Sequence, residues 1–212
     1  MIWPLVKGAM LILAVCVFSA TMSLWAPMEQ AGAADRPTSF TQPVSSNPWV
    51  WTDIEGKSFD LQNGNQDTLT VVIFVSTDCP IANAFQPTLR ELQSGHSDRG
   101  VKFVQVHPTS RTTVEMAKKH QSDFRIDSSV VLDPERRIAK LLKAKVTPEA
   151  FLLDANAKIL YRGRINDLYV GFGKKRRKPQ NHDLANAIQL ALVGEMIETK
   201  MTKAIGCLIP QD

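Results

Sequence analysis

Residues 69–75, LTVVIFV, form a run of apolar and β-branched side chains with Thr70 as its polar exception, the pattern of a strand buried on both faces. The pattern changes at once after Cys79-Pro80: Ile81, Phe85, Leu89 and Leu92 recur at helical spacing, predicting a helix over 80–93. Pro87 should kink that helix, and Gly95 stands where a C-terminal cap belongs. Upstream, residues 49–51 and 58–61 alternate around the turn pair Glu55-Gly56, predicting a short hairpin that Asn63-Gly64-Asn65 ends. Downstream, strands are expected at 101–106, 129–132, 151–153 and 159–164. Helices are expected at 112–120, capped by Thr112 or Thr113, from Asp133-Pro134 to about 142, and at 183–193 with Leu184, Ile188 and Leu192 on one face. This alternation, closed by a hairpin, predicts an α/β domain over residues 49–196.

The flanks read differently. Residues 34–48 are rich in Pro, Ser, Thr and Gln and predict a flexible linker, and residues 197–212 form a short tail. Residues 1–33 have the layout of an export signal, with Lys7 as the positive flank, an apolar centre at 11–18 and Ala31-Gly32-Ala33 as a small-residue cleavage site. The alternative is an uncleaved membrane anchor over 8–25, whereas Leu13-Ala14-Val15-Cys16 lacks the small residue of a lipidation site at Val15. Either way the domain is expected outside the cytoplasm, in a bacterial periplasm or its equivalent. The 212-residue chain is long enough for one packed domain, and its net charge of +4 carries no nucleic-acid signature.

Within that frame the candidate chemistry is a thiol. Cys79 falls where a buried strand becomes a helix, and the unpaired N–H groups and positive dipole end of a helix start stabilise a thiolate, with Pro80 suited to the first helical position. Asp78 beside it would oppose that unless turned to solvent. Removal of Cys16 with the leader leaves Cys79 and Cys207, which invite pairing in an oxidising compartment. A static bridge would close a 128-residue loop, worth up to about 4 to 5 kcal/mol, so a purely structural disulfide is the competing reading. Pro148 stands directly before an apolar strand, which a cis Thr147–Pro148 bond would explain. Asp53, Glu149 and Asp154 read as turn or loop carboxylates available for proton transfer, and His96, His120 and His182 as solvated. Lys174, Lys175, Arg176, Arg177 and Lys178 form a basic run in an expected mobile loop: a solvated face, or a docking patch for an acidic partner or an anionic membrane surface.

FVSTDCP at the strand-to-helix junction, VTPEAFLLD and the preceding hairpin together resemble the redoxin branch of the thioredoxin-like superfamily, which includes the alkyl hydroperoxide reductase/thiol-specific antioxidant family. The resemblance spans residues 49–193. It implies a thioredoxin-like α/β fold, a central mixed sheet flanked by helices with an N-terminal hairpin extension. It implies Cys79 as the attacking thiol, Thr147 and Pro148 as a cis-proline loop, and Ser76, Thr77 and Pro80 as supporting residues, with no cofactor. The implied activity is thiol-disulfide exchange or peroxide reduction, acting on a protein disulfide or a peroxide with an external thiol as reductant. Ala82 stands where a Cys-x-x-Cys pair would place its second thiol, while Val72 and Ser76 take the proline and threonine places of a typical peroxiredoxin motif. Pro148 falls where that family's arginine would align, leaving Arg164 among the substitutes. The tail TKAIGCLIP resembles that of exported redoxin-like proteins and implies Cys207 as the resolving thiol, provided it folds back over the helix start. Two other readings stay open: a copper site of Cys79, His107 and Cys207, similar to thioredoxin-fold copper chaperones, and a non-enzymatic binding module with a structural Cys79–Cys207 disulfide.

Overall fold

The computed structural model describes residues 46–62 and 68–210. The expected leader, nearly all of the linker and the Asn63-Gly64-Asn65 turn lie outside the described residues. Two short strands, β1 (Val50–Thr52) and β2 (Ser58–Asp60), pair antiparallel as the predicted hairpin, with Trp51 opposite Phe59. Its turn is tied to the main sheet by the Ile54 N–H, which donates to the Val130 carbonyl at 2.8 Å. The core strand β3 (Leu69–Phe74) leads to α1 (Pro80–His96), then β4 (Val101–His107), α2 (Val114–Phe124), β5 (Ser129–Leu132) and α3 (Arg137–Leu142). There follow β6 (Val146–Thr147), β7 (Glu149–Leu153), β8 (Ile159–Gly163), β9 (Tyr169–Gly171), β10 (Lys174–Lys175), α4 (Asp183–Leu192) and β11 (Cys207–Leu208).

The main sheet has the order β5-β4-β3-β7-β8, with β3, β4 and β5 parallel and β7 and β8 antiparallel. All six residues of β3 are buried because its two faces serve two cores. Val71 and Ile73 pack with Phe85 and Leu89 of α1 and Leu184 and Ile188 of α4, while Val72 and Phe74 pack with Ile138 and Leu142 of α3, Phe151 and Trp51. Period-two alternation at the centre of a sheet covered on both faces therefore yields one continuous apolar run.

Several local expectations need correction. Helix α1 continues through Gly95 to His96, followed by a 3-10 turn at Ser97–Arg99, and the left-handed stop is Gly100 at φ 79°. Helix α3 begins at Arg137 rather than at Pro134, because the buried Asp133 carboxylate reaches forward to accept from the Ala139 N–H at 2.9 Å across an intervening turn. The basic run is not wholly loop, since Lys174 and Lys175 form β10 against β9. Glu149 lies in a strand, not a loop: its carboxylate is buried, bound to Arg162 at 2.8 Å and to the Lys145 N–H at 2.7 Å. Asp53 and Asp154 are turn carboxylates, each accepting two backbone N–H groups. His96 and His120 are buried, contrary to the solvated reading, whereas His182 is exposed.

Candidate active site

Strand β3 delivers its last backbone bond when the Val75 N–H donates to the Val106 carbonyl at 2.9 Å, and the chain then leaves the sheet. Cys79 takes an extended backbone at the N-cap of α1, with Pro80 at its start. A capping side chain ordinarily offers an oxygen to the first unpaired N–H groups; here the Cys79 sulfur accepts from the Ala82 N–H at 3.5 Å. Ser76 turns its hydroxyl to Asp78, donating a short hydrogen bond to that carboxylate rather than to the thiol. That bond, opposed by desolvation and aided by nearby Arg111, holds the Asp78 carboxyl below its ordinary value while leaving it exposed.

The opposite wall comes from β6 and the loop after it. The Thr147–Pro148 peptide is cis. The Thr147 carbonyl accepts from the Cys79 thiol at 2.9 Å, so the strand end before Pro148 lies directly against the helix start. The tail then returns to the same place. Strand β11 pairs antiparallel with β6, with Cys207 opposite Thr147 and Leu208 opposite Val146. A Cβ on Gly206 would collide with the Thr147 carbonyl, so the tail backbone approaches as closely as a glycine allows.

Anchors on either side hold this tail. The Thr202 hydroxyl accepts from the Arg164 N–H at 3.0 Å and donates to the Tyr161 oxygen at 2.6 Å, while the Tyr161 hydroxyl donates to the Arg164 carbonyl at 2.7 Å. Beyond Cys207, the buried Ile209 packs into the α3-side core, and its N–H donates to the Lys145 carbonyl at 2.9 Å.

The two sulfurs titrate as a pair. Burial pushes the Cys79 thiol up, but hydrogen bonds from the Cys207 thiol, the Ala82 N–H, the Thr147 side chain and the Cys207 N–H together carry it below its ordinary value. Burial, the hydrogen bond to Cys79 and the charge of Cys79 push Cys207 up to about 12, with Asp78 adding to the effect. The stable ionised form is thus a Cys79 thiolate beside a Cys207 thiol. Exposure runs the other way: Cys79 is 1% exposed, whereas Cys207 is partly exposed and lines an open groove of about 310 Å³ with Thr77, Asp78, Arg111, Met116 and Leu208. A separate cavity of about 170 Å³, between the N-terminal hairpin and α3, contains neither cysteine.

Behind the thiol lies a set of contacts that the sequence reading missed. Asn83, in the first turn of α1, donates to the Thr77 carbonyl at 3.0 Å and accepts from His120 Nε2 at 2.9 Å. His120 in turn meets the ring of His107 edge-on at 5.4 Å. His107 is fully buried with neither ring nitrogen hydrogen-bonded, and burial, helped by His120, pushes it down to about 3. Among the described residues no group of three His, Cys, Asp or Glu side chains is placed to hold a metal ion, so His107 does not join the cysteines as the copper reading required. Arg164 is committed elsewhere, gripping Asp183 through two bonds of 2.7 and 3.0 Å.

The family model described as AhpC/TSA matches residues 35–162. The chain belongs to the AhpC/TSA family. Solved structures place this AhpC/TSA chain among thioredoxin-like folds. It is similar to a hypothetical protein from Sinorhizobium meliloti 1021 (22% identity, 84% of this chain and 95% of that one, TM-score 0.66). It is also similar to an uncharacterized conserved protein from Geobacillus kaustophilus (23%, 82% and 93%, 0.67) and to a putative thiol:disulfide interchange protein DsbE from Chlorobium tepidum (20%, 68% and 92%, 0.54). No curated protein matches it. The mixed five-stranded sheet flanked by helices is thus the redoxin architecture implied by FVSTDCP and VTPEAFLLD. Among the described residues no helix is long and apolar enough to cross a membrane.

Proposed function

We propose that the protein is an exported thiol-disulfide oxidoreductase in which Cys79 attacks a substrate disulfide and Cys207, carried on the tail, resolves the product. The observation that carries this reading is the pairing of Cys207 with Thr147, whose carbonyl also holds the Cys79 thiol. Two cysteines far apart in sequence thereby replace the local pair that Ala82 forbids. The Cys79 thiolate forms a new S–S bond to one substrate sulfur, and the other leaves as a thiolate that takes up a proton. Cys79 then carries no charge, so the electrostatic contribution it makes to the high Cys207 value vanishes and Cys207 ionises more easily. Cys207 attacks Cys79 Sγ, loses its proton to solvent and expels the second substrate sulfur as a thiol. The substrate is reduced, the chain is left with a Cys79–Cys207 disulfide, and an external dithiol restores it.

Because Cys79 is buried beneath the tail, a protein disulfide reaches it when β11 lifts from β6. That is an opening of one short pairing rather than of the domain. Disulfide exchange is favoured over peroxide reduction because the bonds that lower Cys79 come from a thiol, a hydroxyl and backbone N–H groups, with no arginine among them. Export rests on Lys7, the apolar centre at 11–18 and the Ala31-Gly32-Ala33 site. Dithiol-dependent reduction of a protein disulfide, measured in a Cys16→Ser background, tests the roles. Cys79→Ser should abolish turnover, and Cys207→Ser should accumulate a mixed disulfide on Cys79. Full activity in Cys79→Ser would overturn the proposal, and turnover of peroxide alone would replace disulfide exchange with peroxide reduction.

A further inference from the structure

We infer that the β9–β10 hairpin is a membrane-surface arm that binds anionic phospholipid. Two features coincide there. The hairpin turns at Phe172-Gly173, with Gly173 left-handed at φ 69°, and it leaves Phe172 71% and Val170 50% exposed at its tip. The second feature is charge: no acidic residue occurs from position 168 to position 182, while Lys174, Lys175, Arg176, Arg177 and Lys178 follow the tip directly. Arg176 is turned back onto the buried Asp167 at 3.5 Å, and Lys175 lies over the Tyr169 ring at 5.7 Å. Among the described residues Lys174, Arg177 and Lys178 have no anionic partner. The arm is fastened at its root, where the Arg176 N–H donates to the Leu168 carbonyl at 2.7 Å and Tyr169 packs on Phe85 of α1.

This combination suits a lipid surface better than an acidic protein. A protein interface of standard size needs a contiguous patch of roughly 800 Å² per partner. One narrow hairpin presenting two apolar side chains does not offer that. Interfacial binding needs only a small inserted apolar tip with cations at headgroup level, which is the order of groups along this arm. Tyr169 at the root also lines a small cavity with Pro148. A docked arm would therefore hold the cis-proline loop, and the thiols beside it, close to the membrane surface.

The test is sedimentation of the full chain with vesicles of equal parts phosphatidylglycerol and phosphatidylcholine, and with phosphatidylcholine alone. The ratio of the two partition coefficients cancels lipid-independent insertion by the apolar N-terminal segment. The unaltered chain should show a ratio of at least about tenfold at low salt that collapses at high salt, since each cation near an anionic surface strengthens binding about fivefold. Combined Lys174→Gln, Lys175→Gln, Arg177→Gln and Lys178→Gln should bring the ratio close to one. Phe172→Ser should weaken partitioning while thermal unfolding stays unchanged. A ratio near one for the unaltered chain, or an undiminished ratio in the four-site variant, would overturn the inference. Binding to polyglutamate with no response to anionic vesicles would overturn it in favour of an acidic protein partner.

Discussion

Gly206→Val separates the two tasks assigned to the tail. The added Cβ meets the Thr147 carbonyl and the Pro148 nitrogen, and β-branching leaves the side chain little freedom to escape. Overpacking of this kind costs about 1 to 3 kcal/mol. The penalty falls on a two-residue pairing at the end of the chain, so the expected response is release of β11 rather than unfolding. A shift of 1 to 3 kcal/mol between closed and open tail is roughly a 5- to 150-fold change in the open population. Two rates should then move in opposite directions by amounts within that range. Alkylation of Cys79, normalised to its thiolate fraction, should accelerate because the tail no longer covers it. Closure of the Cys79–Cys207 disulfide should slow because Cys207 is no longer held opposite Thr147. Mass spectrometry after timed quenching in a Cys16→Ser background reads both, with Thr202 and Ile209 expected to keep the melting temperature nearly unchanged. Unchanged rates, or two rates falling together, would refute the argument that β11 both shields and resolves the buried thiol.

Cys207→Ala should raise the titration midpoint of Cys79, followed by ultraviolet thiolate absorbance, because burial would then stand with fewer hydrogen bonds to oppose it; an unmoved midpoint would contradict the pairing. His107, held down to about 3 against an ordinary 6.5, makes the fold acid-sensitive. The unfolded chain binds this proton as pH falls below 6.5 and the folded chain does not, so stability is lost from there down to about pH 3 at up to about 1.4 kcal/mol per pH unit. His107→Leu should flatten that slope in urea unfolding followed over the same pH range, and an unchanged slope would count against it. Asn83→Ala should cost about 1 to 3 kcal/mol by leaving His120 Nε2 buried without a partner, visible as a lower urea midpoint.

The domain and the strand-to-helix junction that carries Cys79 were legible because they rest on local signals. A buried run ending in Cys-Pro and a proline directly before an apolar strand are features of neighbouring residues, and the resemblance built on them led to the right fold. What the pattern could not carry was long-range or hidden by polarity. Strands β6 and β11 are two residues each, too short for alternation to register, and their pairing joins residues 60 positions apart. Gly206 beside Cys207 was the available signal, since a glycine next to a candidate thiol marks close backbone approach. His120 read as solvated because its helical neighbours, Lys118, Lys119 and Gln121, are polar. Its ring instead sits between His107 and Phe124, on the inward side of α2. Helix α1 outran its expected stop because Gly95 is tolerated within a helix, and the left-handed residue that ends the turn lies five positions later.

The most direct measurement is a redox titration of the Cys16→Ser chain in glutathione buffers, with free thiols trapped and the bonded residues identified by mass. The account predicts one two-electron transition that joins Cys79 to Cys207 and is reversed by a dithiol. Two thiols that stay free under oxidising conditions, a Cys79–glutathione adduct that Cys207 never resolves, or a bridge that a dithiol does not open would each contradict it.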